Sequence, residues 1–219
     1  NQANMTAPFI ISRQNSVFNQ FMSEIRDKQI QKDRLRFRRN LERAGEIMAY
    51  EMSKTFEYAD HRLETPLGDF SLPVIKEQPV LATILRAGLA MHTGLLNYFD
   101  KASNAFVSAY RKSGAEDIEI VVEYMKSPDL NGRILIVSDP MLATGKSMIA
   151  AIEALLKNGT PSKLYIVALL ASKEGLEYVQ KNLSMPASIW VGDVDEELNS
   201  KAYIVPGLGD AGDLAFGGD

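Results

Sequence analysis

The chain has 219 residues, 46% of them hydrophobic, and a formal charge of −4. That is enough for one large α/β domain or two small ones. The absence of cysteine excludes a disulfide framework, a thiolate metal site and a cysteine nucleophile. Two histidines far apart, His61 and His92, give little support to a zinc site or a Ser-His-Asp triad. Any chemistry therefore falls to carboxylates, arginines and backbone amides. The acidic balance argues against a nucleic-acid partner, which needs a positive face. No apolar run approaches the roughly 20 residues of a membrane helix, and no signal peptide opens the chain. The expectation is a soluble cytoplasmic protein without a membrane partner, whose first residues, "NQAN" before Met5, are dispensable to the fold.

From Ser16 onward Val17, Phe18, Phe21, Met22 and Ile25 recur at helical spacing behind a capping residue. A second helix is predicted over about 34–56, with Leu41, Ala44, Ile47, Met48 and Met52 facing inward. It carries the basic tract "DRLRFRRN". We read that tract as a helix whose arginines point to solvent or a subunit neighbour and pair with Glu42 and Glu46, rather than as a nucleic-acid contact. "HRLETPLGDFSLPV" carries proline and glycine at short intervals and reads as a loop or hairpin.

Strands follow at "VLATIL", "NAFVSAYR", "IEIVVEYM", "GRILIVSD", "KLYIVALLA", "SIWVGDV" and, shortest, "YIVP". Helices are predicted over "LAMHTGLLNYF", about 144–157 and 173–181. Strands apolar on both faces, alternating with helices, predict an α/β fold with a mostly parallel, twisted sheet flanked by helices. The domain reading is one unit over 1–219, with a helical arm at 16–60, a core at 80–185 and a hood at 186–219.

Ligands of such sheets lie beyond the carboxyl ends of the strands. Three places qualify: Arg86-Ala87-Gly88, Asp139 to Ser147, and Pro206 to Gly212. Gly145-Lys146-Ser147 looks like the tail of a nucleotide-binding P-loop, but that motif requires glycine where this chain has Pro140, which lacks both the N–H and the freedom needed. "SDPMLATGKS" instead reads as a strand-loop-helix joint. Thr144 can cap the helix, Gly145 leaves room for an anion, and the helix start attracts phosphate. Asp139, acceptor-only when ionised, suits hydroxyl groups or a metal. Phosphate donors at one end and a diol-seeking carboxylate at the other match a ribose 5-phosphate. The plain alternative is an ordinary turn capped by Thr144 with an exposed Asp139.

"VSDPMLATGKS", with "TILRAGL" upstream and "YIVPGLGDAGD" near the end, resembles the uracil phosphoribosyltransferase branch of the type I phosphoribosyltransferases. "FRRNLERAGEIMAYE" is similar to that family's helical arm, so the resemblance covers most of the chain from about Ser16. It implies transfer of the phosphoribosyl group from 5-phosphoribosyl pyrophosphate (PRPP) to uracil, giving UMP and pyrophosphate. The implied PRPP contacts are Arg86, Arg111, Asp139, Pro140, Met141, Leu142, Ala143, Thr144, Gly145, Lys146, Ser147 and Asp210. Those for uracil are Ile204, Gly209, Asp210 and Ala211, largely through backbone groups. Arg86, Arg111, Asp139 and Asp210 are the implied catalytic set. Mg²⁺ is implied as held mainly through PRPP and water, GTP as an effector, and a homodimer or larger homo-oligomer as the assembly. "RKSGAEDIEIVV" is the implied lid.

Three departures stand out. Lys146 replaces a second glycine of the family's ATGGS form, and is expected either to strain the backbone or to add charge toward the 5-phosphate. The lid lacks an acidic-and-threonine run. Leu214 replaces a basic residue. A rival of another class is a non-catalytic PRPP or nucleotide sensor that acts on RNA through the Arg34 to Arg39 tract.

Overall fold

The computed structural model describes residues 6–112 and 119–218. The residues before Thr6 and the 113–118 part of the expected lid lie outside that range. Along the chain run β1 (Phe9–Ile10), α1 (Val17–Arg26), α2 (Arg34–Ser53), β2 (Tyr58–Thr65), β3 (Gly68–Ile75), β4 (Val80–Leu85) and α3 (Leu89–Tyr98). Then come β5 (Ser103–Lys112), β6 (Glu119–Lys126), β7 (Ile134–Ser138), β8 (Met141–Leu142), α4 (Lys146–Leu156) and β9 (Lys163–Ser172). The chain continues through α5 (Lys173–Asn182), β10 (Ser188–Asp195), β11 (Glu197–Leu198), β12 (Ile204–Val205) and α6 (Ala211–Phe216).

The main sheet has the order β1-β10-β9-β7-β4-β5-β6, with β8 added to β9. All its pairings are parallel except β5 with β6. The apolar strand runs exist because both faces are covered. Val80, Ala82 and Ile84 of β4 pack with α4 on one side, whereas Leu81 packs with α1, α2 and α3 on the other. β7 divides in the same way, Leu135 and Val137 opposing Ile134 and Ile136. A buried aliphatic side chain stabilises by about 1.5–3 kcal/mol, so this two-sided burial fixes the register of the central strands.

The arm helices begin where the sequence indicates. Ser16 accepts from the Phe18 amide and Asp33 from the Arg36 amide, each an N-cap. α2 ends at Ser53 rather than Phe56, which turns into the core instead. The basic tract is engaged within the chain: Arg36 pairs with Glu24 at 2.8 Å, Arg38 donates to the Ala215 carbonyl at 2.7 Å, and Arg39 pairs with Glu42 at 2.9 Å. Glu46 differs from expectation, accepting from Asn97 of α3 at 2.9 Å. The ambiguous 61–74 segment is a hairpin: β2 and β3 pair antiparallel, and most of their residues are exposed. Four of the elements described here were not anticipated: β1, β8, β11 and α6.

α2 and α3 touch backbone to backbone. A methyl group on Gly94 would overlap the Glu42 carbonyl oxygen and lie 3.0 Å from the Glu46 amide nitrogen. Gly94→Ala should therefore lower stability by about 2–3 kcal/mol through overpacking, read as a lower denaturation midpoint at unchanged m-value.

Candidate active site

Parallel pairing ends β4, β7 and β9 at the same edge of the sheet, with Thr83 level with Ser138 and Ser138 with Val167. Asp139 follows β7 there, and the chain then runs beside β9 as β8 before turning into α4. The turn is made at Gly145, whose φ of 77° lies in the left-handed region. A side chain there would come within 2.7 Å of the Gly175 carbonyl oxygen and 2.9 Å of the Val179 side chain. From α5, Gly175 in turn presses on the Leu142 and Ala143 carbonyls, and Ser172 donates its hydroxyl proton to Ala143. The loop is thus clamped against the start of α5.

The N-cap of α4 is Gly145, with no side-chain cap. Thr144 stands one position earlier than expected, its hydroxyl accepting from the Lys146 amide at 3.3 Å. This corrects the capping assignment and leaves the helix start facing the cleft. Lys146 is an ordinary first helical residue. Among the described residues only Ala202 combines a side chain with positive φ, so lysine carries no backbone strain at this position.

A cleft of about 410 Å³ opens over this edge. Its floor is Asp139, Met141, Leu142, Ala143, Thr144, Gly145 and Ser147. Ile204, Gly209, Asp210 and Ala211 of the hood form the facing wall, and Arg111 reaches in from β5. Three of the expected residues lie outside the lining. Pro140 is buried, its carbonyl accepting from the Leu169 and Leu170 amides. The Lys146 side chain borders a separate hollow with Ile120, Glu153, Tyr178 and Asn182, because the first turn of α4 rotates it away from the floor. Arg86 follows a cis Leu85–Arg86 peptide and donates to the Gly217 carbonyl at 2.6 Å and to Asp213 at 3.3 Å, the nearest acceptors for its exposed guanidinium.

Burial pushes Asp139 up to about 7, its bond from the Met141 amide opposes this, and the negative charge of Asp210 adds to the rise. Two carboxylates therefore share one cleft, and the deeper one holds its proton near neutrality. Asp210 caps α6 by accepting from the Asp213 amide at 2.9 Å. Leu214, the apolar replacement, packs on the core beneath this turn. The two carboxylates supply oxygen donors of the kind Mg²⁺ accepts. Among the described residues no three His, Asp or Glu side chains gather as a metal cluster.

Met148 of α4 and Lys201, Ala202 and Tyr203 of the hood also line the cleft and escaped the sequence reading. Ala87 and Gly212, which line it too, belong to two of the three loops that the sequence singled out. Ala202, with φ of 62°, carries no signal in its residue type. Among the described residues no helix is long and apolar enough to cross a membrane.

Residues 11–218 match the family model described as uracil phosphoribosyltransferase. A uracil phosphoribosyltransferase of Porphyromonas gingivalis is 49% identical over 94% of this chain and 96% of its own length. A solved structure of a protein from Aquifex aeolicus superposes with a TM-score of 0.83 at 31% identity, covering 93% of this chain and 96% of that one. A hypoxanthine phosphoribosyltransferase structure from Staphylococcus aureus, at 14% identity and a TM-score of 0.51 over 74% of this chain and 76% of its own, shares the fold. The match of the family model over nearly all of the chain, together with these relatives, shows that the chain belongs to the uracil phosphoribosyltransferase family.

Proposed function

We propose that the protein is a cytoplasmic uracil phosphoribosyltransferase of pyrimidine salvage. The observation that carries this reading is one cleft holding a helix start whose N-cap is a glycine, a carboxylate suited to hydroxyl groups and a glycine-rich hood opposite them. The 5-phosphate sits at Ala143–Ser147, where amides and the helix dipole meet it. Asp139 accepts from the ribose hydroxyls. Backbone groups of Ile204, Gly209 and Ala211 present donors and acceptors to the polar edge of uracil, with Asp210 between base and ribose.

In the reaction the bond from the anomeric carbon to pyrophosphate breaks, the electron pair leaving with pyrophosphate, and a bond from the uracil nitrogen forms as that nitrogen loses its proton. Positive charge develops on the ribose ring, as in glycoside cleavage. Arg111 neutralises the departing charge from β5. Arg86 joins it by exchanging Gly217 and Asp213 for pyrophosphate oxygens, for which its guanidinium fork is suited. Mg²⁺ would supply further charge neutralisation, with Asp139 and Asp210 as the carboxylates in the cleft that could face it.

The reading extends to GTP as an effector and to a homodimer or larger homo-oligomer. The assembly draws support from the β2–β3 hairpin, where Leu63, Phe70, Leu72 and Val74 share one face and the last three are exposed.

Incubation with uracil, PRPP and Mg²⁺, with and without GTP, should yield UMP and pyrophosphate. No product over a range of pH would favour the sensor reading instead.

The raised Asp139 predicts a pH limb. kcat/KM for PRPP should rise through an apparent pKa near 7 as the carboxylate forms. Asp139→Asn should remove that limb and lower kcat/KM by about 10- to 100-fold, the worth of a hydrogen bond to a charged group. Between about pH 4 and 7 the folded state holds the proton more tightly than the unfolded chain, so this site's contribution to stability is present at low pH and lost as pH rises. The asparagine variant should accordingly melt higher than the parent at pH 8, with a smaller difference at pH 5.

Because Lys146 faces away from the cleft, Lys146→Gly should leave the KM for PRPP within about twofold, while destabilising α4 by about 0.5–1 kcal/mol. A severalfold change in that KM would show that the lysine reaches the 5-phosphate.

A further inference from the structure

The hood turn between β12 and α6 is held from behind by the arm. Arg26, the last residue of α1, donates from Nη1 to Asp195 at 2.8 Å and to the Gly207 carbonyl at 3.0 Å. From Nη2 it donates to Asp193 at 2.9 Å and to the second Asp195 oxygen at 2.8 Å. Asp195 also accepts from the Gly207 amide at 2.8 Å, so both polar groups of that peptide unit's glycine are fixed by one ion pair. Gln31 adds a second tie, donating to the carbonyls of Leu208 at 3.0 Å and Ile25 at 2.8 Å.

This cluster is built as a rigid support. The Arg26 side chain is 21% exposed and that of Asp195 8%. Burial alone would raise the Asp195 carboxyl, yet the Arg26 fork and the Gly207 amide outweigh it and hold the group below the usual carboxylate range. A bidentate pair of this kind fixes orientation as well as charge. None of Arg26, Gln31, Asp193 or Asp195 lines the cleft. Their effect passes through Gly207 and Leu208, which lie between Ile204 and Gly209, two residues that line the cleft.

We propose that Arg26 is a positioning residue for base recognition: with Asp195 it sets the hood turn so that the Ile204, Gly209 and Ala211 backbone groups meet uracil in register. This rests on the uracil reading of the site. The phosphate cradle is carried by β7, α4 and α5; Asp195 lies level with Ser172 at the start of α5, but the side-chain bonds joining Arg26 and Asp195 run to Gly207, Asp193 and each other rather than to the cradle, so the effect should be selective for the base.

The test is steady-state kinetics of the full-length protein, varying uracil and PRPP separately, for the parent, Arg26→Lys, Arg26→Gln and the double variant Arg26→Gln/Asp195→Asn. The double variant removes both charges and avoids leaving an unpaired buried carboxylate, so it remains informative if Arg26→Gln does not fold. The expected result is a KM for uracil raised about 10-fold or more, since small misplacements of positioning groups are costly, with the KM for PRPP within about twofold. Arg26→Lys, keeping the charge but not the fork, should recover only part of the loss. An unchanged KM for uracil, whatever the melting temperature, would overturn the assignment, as would both KM values rising together. Absence of UMP with the parent would instead overturn the uracil reading itself, and is visible before any variant is made.

Discussion

Parallel strand pairing is the constraint on which the rest of this molecule depends. Because β4, β7 and β9 run in one direction and are locked in register by apolar packing on both faces, their exits share one edge. Residues distant in sequence are thereby delivered to a common cleft without any of them having to be held by a long loop. The cost is that every connection must cross a face of the sheet, and the helices doing so close the core. The arm helices complete one of those faces and, through Arg26 and Gln31, also brace the hood.

The clamped loop places rigidity at the helix start to which the proposed function assigns an anion. Gly145 and Gly175 interlock because neither has a side chain, and Ser172 holds the Ala143 carbonyl. The start of α4 is thus presented in a fixed orientation, so its amides need not reorganise when charge arrives. On the opposite wall the same end is reached differently, through an ion pair beneath a turn that contains a cis Val205–Pro206 peptide and positive φ at Gly207 and Gly209.

Much of this was legible in the sequence, for identifiable reasons. The central strands announce themselves as short runs of β-branched residues, and the arm helices by spacing plus Ser16 and Asp33 caps. Asp139 and the Ala143–Ser147 loop follow from chemistry that requires an acid before a helix start. What escaped had no local signature. α6 spans six residues, too few for periodicity to register, and β1, β8 and β11 have two residues each. The direction of Lys146 depends on the rotation of α4, and the capping role falls to Gly145 because the turn demands positive φ. Arg26 and Asp195 are 169 positions apart, and nothing in either neighbourhood names the other.

On the proposed function, Asp139 makes the proton itself a participant in ligand capture. A carboxyl poised near pH 7 is divided there between its acid and its anion, and only the anion offers all its lone pairs to a diol. Binding of a sugar to that anion would expel a proton, and acidification would compete with the sugar for the same oxygen atoms. By linkage, the heat of binding would vary with the ionisation enthalpy of the buffer, and affinity would fall with acidity around pH 7. A side chain set into the floor of the cleft would thereby become a gauge of the surrounding proton activity.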